Sequence, residues 1–399
     1  MTALPAFRSR NYRLFFAGQL ISLIGTWMQQ IAMTWLTYRL TDSTVMLGLV
    51  SFASQIPILL FGPLAGVWND RTNRHRLMIL TQFLALLQAV MLFVLTLTGT
   101  ANPPLLVMLA FMLGCINAVD MPTRQAFVAQ LVEHRNDLPN AIGLNSFLMN
   151  SARFIGPALA GLIVATAGEA ICFLINALSY LAVLLALLAM RLAPQAPGHG
   201  LSTWLALKAG FGYARTHPRI RVTLLLVACF SFFITPYAVM MPVFARDLFS
   251  GNAETYGYLI GSAGLGSLCA AVFLAYRGGR HAGTGLDRIV ARAAISGGTA
   301  LACFTLAPSL PATFPWLAIL GFSVVITAAG SNTLVQIDVE EAFRGRVMAI
   351  FSTAFLGIAP LGSLSVGWIG AQFGVRPTLF GCGVVALLAG AAYRRRIAG

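Results

Sequence analysis

The fold of this chain is constrained above all by twelve apolar stretches, because about 20 apolar residues are what a helix needs to cross a bilayer. Hydrophobic residues make up 58% of the 399 and charged residues only 10%, whereas about 25% of the residues in a soluble domain are charged. We therefore predict an all-α membrane protein with spans at 13–38, 44–68, 77–99, 105–129, 139–167, 169–190, 219–248, 255–276, 287–307, 313–337, 344–373 and 375–394.

The formal net charge of +14 could indicate a nucleic-acid partner, but the placement of the basic residues argues against one. Most of the 26 Lys and Arg residues lie at the termini, in the central linker and in the loops that follow even-numbered spans. This asymmetry is the positive-inside pattern, which predicts that both termini are cytoplasmic. The expected partners of these charges are anionic membrane lipids and not nucleic acid.

The longest polar interruption, from Arg191 to Arg221, divides the twelve spans into six and six. Residues 201–213 within it are amphipathic, which predicts a helix in the cytoplasmic interface. A weak internal repeat at a constant offset places Gly156 opposite Gly362 and Gly161 opposite Gly367. We therefore predict two pseudo-symmetric six-helix bundles, residues 1–190 and 219–399, joined by a linker over 191–218.

The sequence offers little that could support catalysis. The six cysteines all fall within predicted spans, and no pair has the spacing of a metal or redox site. We find no nucleophile with a histidine partner and no phosphate-binding loop. We therefore expect neither an enzyme nor a bound cofactor or metal.

A motif between spans 2 and 3 connects the chain with a known superfamily. The stretch GPLAGVWNDRTNRHR matches the Gly-x-x-x-Asp-Arg-x-x-Arg-x-Arg loop of the major facilitator superfamily at Gly66, Asp70, Arg71, Arg74 and Arg76. The chain resembles that superfamily over its whole length, which implies alternating access between two halves and a loop that helps to close the cytoplasmic side. The first four of these residues are therefore gating candidates.

Three other segments resemble one branch of that superfamily. RFIGPALAG, from Arg153, is similar to the Gly-Pro signature of span 5 in its antiporters, and Gly156 and Pro157 are expected to kink the helix. MPTRQAF and RGRVMAIFSTAFLGIAPLG resemble the branch that holds enterobactin exporters and macrolide efflux proteins. The resemblance implies proton-driven export of an amphipathic drug or siderophore-like metabolite across a bacterial inner membrane, by a protein that we expect to be monomeric.

Two other functions remain open at this point. The same fold could serve uptake or uniport, although the Gly-Pro segment of span 5 favours export. A non-transporting membrane protein, such as a sensor or a scramblase, would leave the polar stripes within the spans without a role. Small-molecule substrate and protons are the partners that the export hypothesis requires.

Polar residues within spans are costly in lipid, so they indicate either a binding cavity or interhelical hydrogen bonds. Span 1 carries such residues at three- and four-residue spacing, and spans 4, 5 and 7 add others. We predict a wet, aromatic-lined cavity, with packing as the alternative for any single amide. The predicted substrate-binding residues are Ser22, Thr26, Gln29, Gln30, Asn117, Asn145, Asn150, Arg153 and Tyr237.

The deepest charge is Arg153, roughly 18 Å along span 5 from its cytoplasmic boundary and near the bilayer midplane. No acid is expected at its level, and an unpaired arginine there is costly. Either a water-filled cavity solvates Arg153, or an acidic or catecholate-like group of the substrate pairs with it.

Asp120 is the one acid that falls clearly within a predicted span, four residues before Arg124. A carboxyl group that alternates between burial and exposure can carry protons, so Asp120 is the proton-coupling candidate. Arg124 is placed to pair with it, and we expect Arg71 and Arg74 of the loop to lie within reach. These neighbours favour a gating role for Asp120 and Arg124.

Overall fold

Helices connected by short loops make up the described part of the chain. A computed structural model describes residues 5–128, 130–132, 134, 137–191, 211–278, 285–341 and 343–398, without the side chains of 63–67, 69–71, 139, 146, 150 and 398. All regular secondary structure in these residues is helix, which confirms the predicted all-α class.

Twelve helical segments make up the described bundle, and we call them span 1 to span 12 in chain order. Spans 1 to 6 are Arg10–Thr41, Thr44–Arg71, Arg74–Leu97, Pro103–Val128, Leu138–Ala167 and Glu169–Leu188. Spans 8, 9, 10 and 12 are Ala253–Gly278, Leu286–Thr305, Leu310–Asp338 and Val375–Ala398. Each predicted span coincides with one segment.

Spans 7 and 11 differ from these because each is interrupted. Span 7 comprises Pro218–Phe233, Tyr237–Val243 and a π-helical turn, Phe244–Leu248. Span 11 comprises Arg344–Ser352, a π-helical turn at Thr353–Gly357, and Ala359–Phe373. Pro236 and Pro360 lie at these interruptions, where a residue without a backbone N–H cannot continue the helical hydrogen-bond pattern.

Ten of the twelve described segments are long and apolar enough to cross a membrane by composition. The other two, spans 1 and 9, are 32 and 20 residues long and carry more polar side chains. Span 1 packs against spans 5 and 6, and span 9 packs against spans 10 and 12. Because both lie among apolar spans of their own half, we place them in the membrane as well.

The two halves meet chiefly where span 5 crosses span 8 and where span 2 crosses span 11. Glycines make both approaches possible. A Cβ atom on Gly161 would lie 2.7 Å from the Cα atom of Gly257, and one on Gly367 would lie 2.6 Å from the carbonyl oxygen of Thr44. The sequence repeat pairs Gly161 with Gly367, so the two crossings occupy equivalent positions in the two halves.

Twelve spans place the loops after even-numbered spans at one end of the bundle, with the start of span 1 and the end of span 12. We call this end the terminal face and the opposite end the far face. Most of the linker, residues 192–210, lies outside the described residues, and so does most of the predicted interfacial helix; residues 211–216 are helical. The linker boundaries therefore remain a prediction.

Candidate functional site

Arg153 lies midway along span 5, at the centre of the bundle. Its guanidinium group stacks over the indole ring of Trp27 in span 1, 5.1 Å from the ring centroid. Within the described part of the chain, no carboxylate pairs with it, and its electrostatic neighbour is Tyr237. The side chain is half-buried, so part of its surface remains accessible.

Tyr237 begins the second helix of span 7, Tyr237–Val243, which follows the interruption and packs against span 1 of the other half. The Thr235 hydroxyl donates to the carbonyl oxygen of Ser231 at 2.5 Å, and the Ser231 hydroxyl donates to the carbonyl oxygen of Phe355 at 2.5 Å. These side chains bond backbone oxygens around the interruptions of spans 7 and 11. The predicted residues Arg153 and Tyr237 thus lie within electrostatic range of each other across the boundary between the halves.

Gly156 and Pro157 allow neighbouring spans to pack closely around Arg153. A Cβ atom on Gly156 would lie 2.5 Å from the Cβ atom of Trp27, so only glycine lets span 1 bring its indole ring to Arg153. Pro157 has no N–H to donate to the carbonyl oxygen of Arg153, four residues earlier. Gly264 of span 8 packs there, since a Cβ atom on it would lie 2.9 Å from that oxygen. Span 5 remains one helix, Leu138–Ala167, through the pair.

The polar stripe of span 1 divides between two faces of the helix. Gln30 is exposed and lies on the same face as Trp27 and Thr34. The Thr34 hydroxyl donates to the carbonyl oxygen of Gln30 at 2.8 Å. One residue further on, the ring of Trp35 stacks on the ring of Tyr256 of span 8, with 6.0 Å between centroids. This face therefore meets the other half of the molecule.

The second face of the stripe points into the N-terminal half. The Gln29 amide donates to Gln88 of span 3 at 2.9 Å and accepts from Asn176 of span 6 at 2.8 Å. Ser22 is buried, and the Thr26 hydroxyl donates to its carbonyl oxygen at 2.8 Å. At Ser22, Thr26 and Gln29 the stripe turns away from the centre of the molecule. These three residues therefore make packing contacts between helices, which is the alternative to lining a binding cavity.

The remaining predicted binding residues belong to spans 4 and 5. Asn117 and Asn145 are half-buried in spans 4 and 5. Asn150 belongs to span 5, but its side chain lies outside the described residues. Their roles in binding remain predictions.

Asp120 is enclosed within the N-terminal half, with 1% of its surface exposed. Arg124 pairs with one carboxylate oxygen, and the other accepts from Thr81 and Gln82 of span 3, each at 2.8 Å. The pairing with Arg124 is as predicted. The contacts of Asp120 with Thr81 and Gln82 were not predicted. Polar residues in so apolar a span do indicate, however, that they have polar partners inside the bundle.

The loop between spans 2 and 3 is a tight connection. The side chains of Gly66, Asp70 and Arg71 lie outside the described residues. Arg74 is the first residue of span 3 and is half-buried. The Asn73 side chain caps that helix by accepting from the backbone N–H groups of His75 and Arg76 at 3.0 and 3.2 Å. The gating role of this motif remains a prediction.

A cluster at the far face, which we call the outer cluster, joins spans 1 and 7. It contains Tyr38, Asp42, Arg246 and Asp247. Arg246 pairs with Asp42 at 2.6 Å and lies 5.4 Å from the centroid of the Tyr38 ring, while the Tyr38 hydroxyl donates to Asp247. The outer cluster was not predicted, because its members lie at the ends of spans, where charged residues are ordinary.

Two six-helix bundles that cross at equivalent glycines and share a polar centre define a membrane transporter of the major facilitator class. The chain belongs to the Transmembrane secretion effector family of that superfamily, whose family model matches residues 1–398. It is thus a multi-pass transporter and not an enzyme, as the sequence predicted.

Relatives of known role agree with this class. The staphyloferrin A transporter of Staphylococcus aureus is 29% identical over 266 residues, which are 66% of each chain. The multidrug efflux pump Tap of Mycolicibacterium fortuitum is 22% identical over 90% of this chain and 89% of its own. Macrolide efflux protein A of Streptococcus pyogenes is 22% identical over 92% and 91%.

Solved structures share the fold. A bacterial homologue of the iron transporter ferroportin in its inward-facing state superimposes with a TM-score of 0.73 at 16% identity, covering 97% of this chain and 98% of that one. Its outward-facing state gives a TM-score of 0.63 at 17% identity, covering 98% and 100%. These similarities confirm the major facilitator fold.

Proposed function

We propose that this protein exports an amphipathic organic compound from the cytoplasm by alternating access, with protons moving in the opposite direction. The observation that carries the proposal is a polar centre, formed by Arg153 and Tyr237, that is shared between two halves in contact at the far face. Relatives named for multidrug and macrolide efflux and for staphyloferrin A transport support a drug or siderophore-like substrate.

The contacts between the halves support a state that is closed at the far face. The crossing of Gly161 with Gly257, the stack of Trp35 on Tyr256 and the outer cluster all lie on the far side of Arg153. At the terminal face, described contacts join segments of one half: the Ser9 hydroxyl donates to Leu131, and Arg219 pairs with Asp338. The higher TM-score with the inward-facing ferroportin homologue supports the same assignment.

The direction of access follows from the charge pattern. Because basic residues concentrate at the terminal face, we infer that this face is cytoplasmic and that both termini lie there. A bacterial inner membrane with anionic lipids fits this orientation. A site open to the cytoplasm and closed to the outside is what an exporter needs in order to load its substrate.

The binding site that we propose draws on both halves. It comprises the exposed Gln30, the half-buried Asn117 and Asn145, and Asn150, in addition to Arg153 and Tyr237. Trp27 joins this group because it supports Arg153. Gly66, Asp70, Arg71 and Arg74 would close the terminal face after loading.

Asp120 and Arg124 fit a structural role at the gate, which we call a brace because it links spans 3 and 4, better than the role of a proton carrier. Every oxygen of the Asp120 carboxylate has a partner on span 3 or at Arg124, so the group ties spans 3 and 4 together. Measurement of substrate-driven proton flux in Asp120→Asn separates the two roles. A brace variant stays coupled, whereas loss of flux with retained transport would identify the carrier.

Growth and accumulation assays test the function as a whole. We would express the protein in a bacterium that lacks its own efflux pumps and measure accumulation of a drug and siderophore panel, with and without a protonophore. The proposal predicts lower accumulation of at least one compound, abolished by the protonophore. Higher accumulation would indicate uptake, and an effect that survives the protonophore would overturn proton coupling.

A further inference from the structure

We propose that the centre of the molecule is a two-sided carboxylate site, in which Arg153 of one half and the Tyr237 hydroxyl of the other hold the same carboxylate of the substrate. This inference rests on the proposed function, since it names the chemical class that the site would select. The substrate class is an amphipathic organic acid.

The first argument is the missing counter-ion. Arg153 lies midway along a 30-residue helix, so its charge is near the bilayer midplane. Charges at that depth ordinarily have partners or line a water-filled path. Arg39, Arg124 and Arg246 each pair with a carboxylate, whereas within the described residues Arg153 has none. The site is therefore built to receive a negative group.

The second argument is the orientation of the guanidinium group. The guanidinium carbon lies over the ring of Trp27, 5.1 Å from the ring centroid, so a cation–π contact holds the group in place. The indole ring is itself held close by Gly156, where no side chain fits. A guanidinium group fixed in this way presents parallel N–H donors, which match the two oxygens of a carboxylate. A lysine at this position would supply charge but no such fork.

The third argument is that the second donor comes from the other half. Tyr237 is half-buried, and its helix, Tyr237–Val243, packs against span 1, the span that carries Trp27. This packing places its hydroxyl within electrostatic range of Arg153. The neighbouring rings of Phe232 and Phe233, 4.9 Å between centroids, are also half-buried and offer an apolar surface on the same span. A carboxylate with an aromatic or aliphatic body would satisfy both features.

A site divided between the halves has a consequence for transport. An anion that accepts from Arg153 and Tyr237 together is bound most tightly when the halves stand as they do here. Opening of the far face moves the halves relative to one another, so the anion loses part of its binding there. A ligand shifts a conformational equilibrium only by such a difference in affinity, and this difference would favour release outside.

Matched acid and amide probes test the site on the purified full-length protein in lipid nanodiscs. We would titrate pyrenebutyrate against pyrenebutyramide, and dansylglycine against dansylglycinamide, and follow probe fluorescence. An arginine fork should favour the acid of each pair by about tenfold. Equal binding of acid and amide in both pairs, or the absence of binding of either acid, would overturn the inference.

Variants then assign the preference to residues. Arg153→Gln should remove the difference between acid and amide, Arg153→Lys should retain part of it, and Tyr237→Phe should weaken acid binding by roughly threefold. Arg395→Gln, in the last turn of span 12 at the terminal face, serves as the matched control and should bind as the unaltered protein does. Because Arg153→Gln could fail to fold, Arg153→Lys and Tyr237→Phe carry the test alone if that variant is lost. An acid preference that these two leave unchanged contradicts the inference.

The outcome is distinguishable from a failure of the proposed function. If cells export panel compounds but acids bind no better than their amides, export stands and the carboxylate site is wrong. If acids bind through Arg153 but no compound is exported, the site stands and the exporter hypothesis is wrong.

Discussion

The two ends of the bundle are held together by different kinds of contact. At the far face, the halves touch through glycines and the outer cluster, in which the side chains of Arg246 and Asp42 are 40% and 67% exposed. Towards the terminal face, Asp120 lies inside one half with its carboxylate fully bonded. Exposed ion pairs contribute about 0.2–1 kcal/mol, whereas breaking a buried pair costs about 3–5 kcal/mol.

This difference indicates where the molecule can move. The buried ion pair of Asp120 lies inside one half, whereas the halves meet through close glycine packing, a few hydrogen bonds and an exposed ion pair. The halves can then separate at the far face without loss of their internal packing, which alternating access requires. Variants that alter one class of contact should therefore affect transport and stability differently.

The largest effect on transport should come from filling a glycine crossing between the halves. In Gly161→Val, the added side chain would meet the backbone of span 8, since even a Cβ atom lies 2.7 Å from Gly257. We expect the far face to stay open and efflux to fall by at least about tenfold, a change of only about 1.4 kcal/mol in the balance of states. Whole-cell efflux at matched expression is the measurement.

Gly143→Val provides the control for this variant on the same helix. A Cβ atom at Gly143 meets no described atom within 4 Å, so this variant should transport normally. Equal loss in both variants would show that the crossing is not what matters.

The next effect should be on stability, from opening the buried contacts of Asp120. Asp120→Ala leaves Arg124, Thr81 and Gln82 without their acceptor inside the bundle. The free energy of unfolding should fall by about 3 kcal/mol, because an uncompensated buried charge remains. Thermal unfolding of the detergent-solubilised protein measures this, and a melting temperature equal to that of the unaltered protein would rule out the brace.

A smaller loss is expected from the amide network inside the N-terminal half. Asn176→Leu removes the donor to Gln29, and the Ser179 hydroxyl loses a partner at 3.0 Å. The buried groups left unsatisfied should cost about 1–3 kcal/mol. Asn145→Leu, at a half-buried position, should cost less in the same unfolding assay. A larger loss of stability in Asn145→Leu than in Asn176→Leu would contradict a packing role for Gln29.

The smallest effect should come from the outer cluster. Arg246→Gln removes the ion pair with Asp42 and the contact with the Tyr38 ring, so the closed far face should lose about 0.5–1 kcal/mol. Spin-label distances across the far face should then show a few-fold increase in the open population. The charge-swapped pair Asp42→Arg with Arg246→Asp should restore part of it, and no change in either would exclude the cluster as a contact that favours closure.

Sequence alone predicted the spans because hydrophobicity along a helix is a local property. Arg153 could also be identified from the sequence, since a charge deep in an apolar stretch needs an explanation. The partners of Asp120 on span 3 could not, because nothing local says which helix faces which. The same limit applies to span 1, where the sequence could not say that Gln30 faces the centre while Gln29 faces the interior of one half.

Accessibility of the centre tests the central claim most directly. In a cysteine-free background, Gln30→Cys would be treated with a membrane-impermeant thiol reagent, in inverted membrane vesicles and in right-side-out spheroplasts. The account predicts fast labelling in inverted vesicles and slow labelling in spheroplasts, because the centre opens towards the cytoplasm. Fast labelling from the outside with protection on the cytoplasmic side would contradict it.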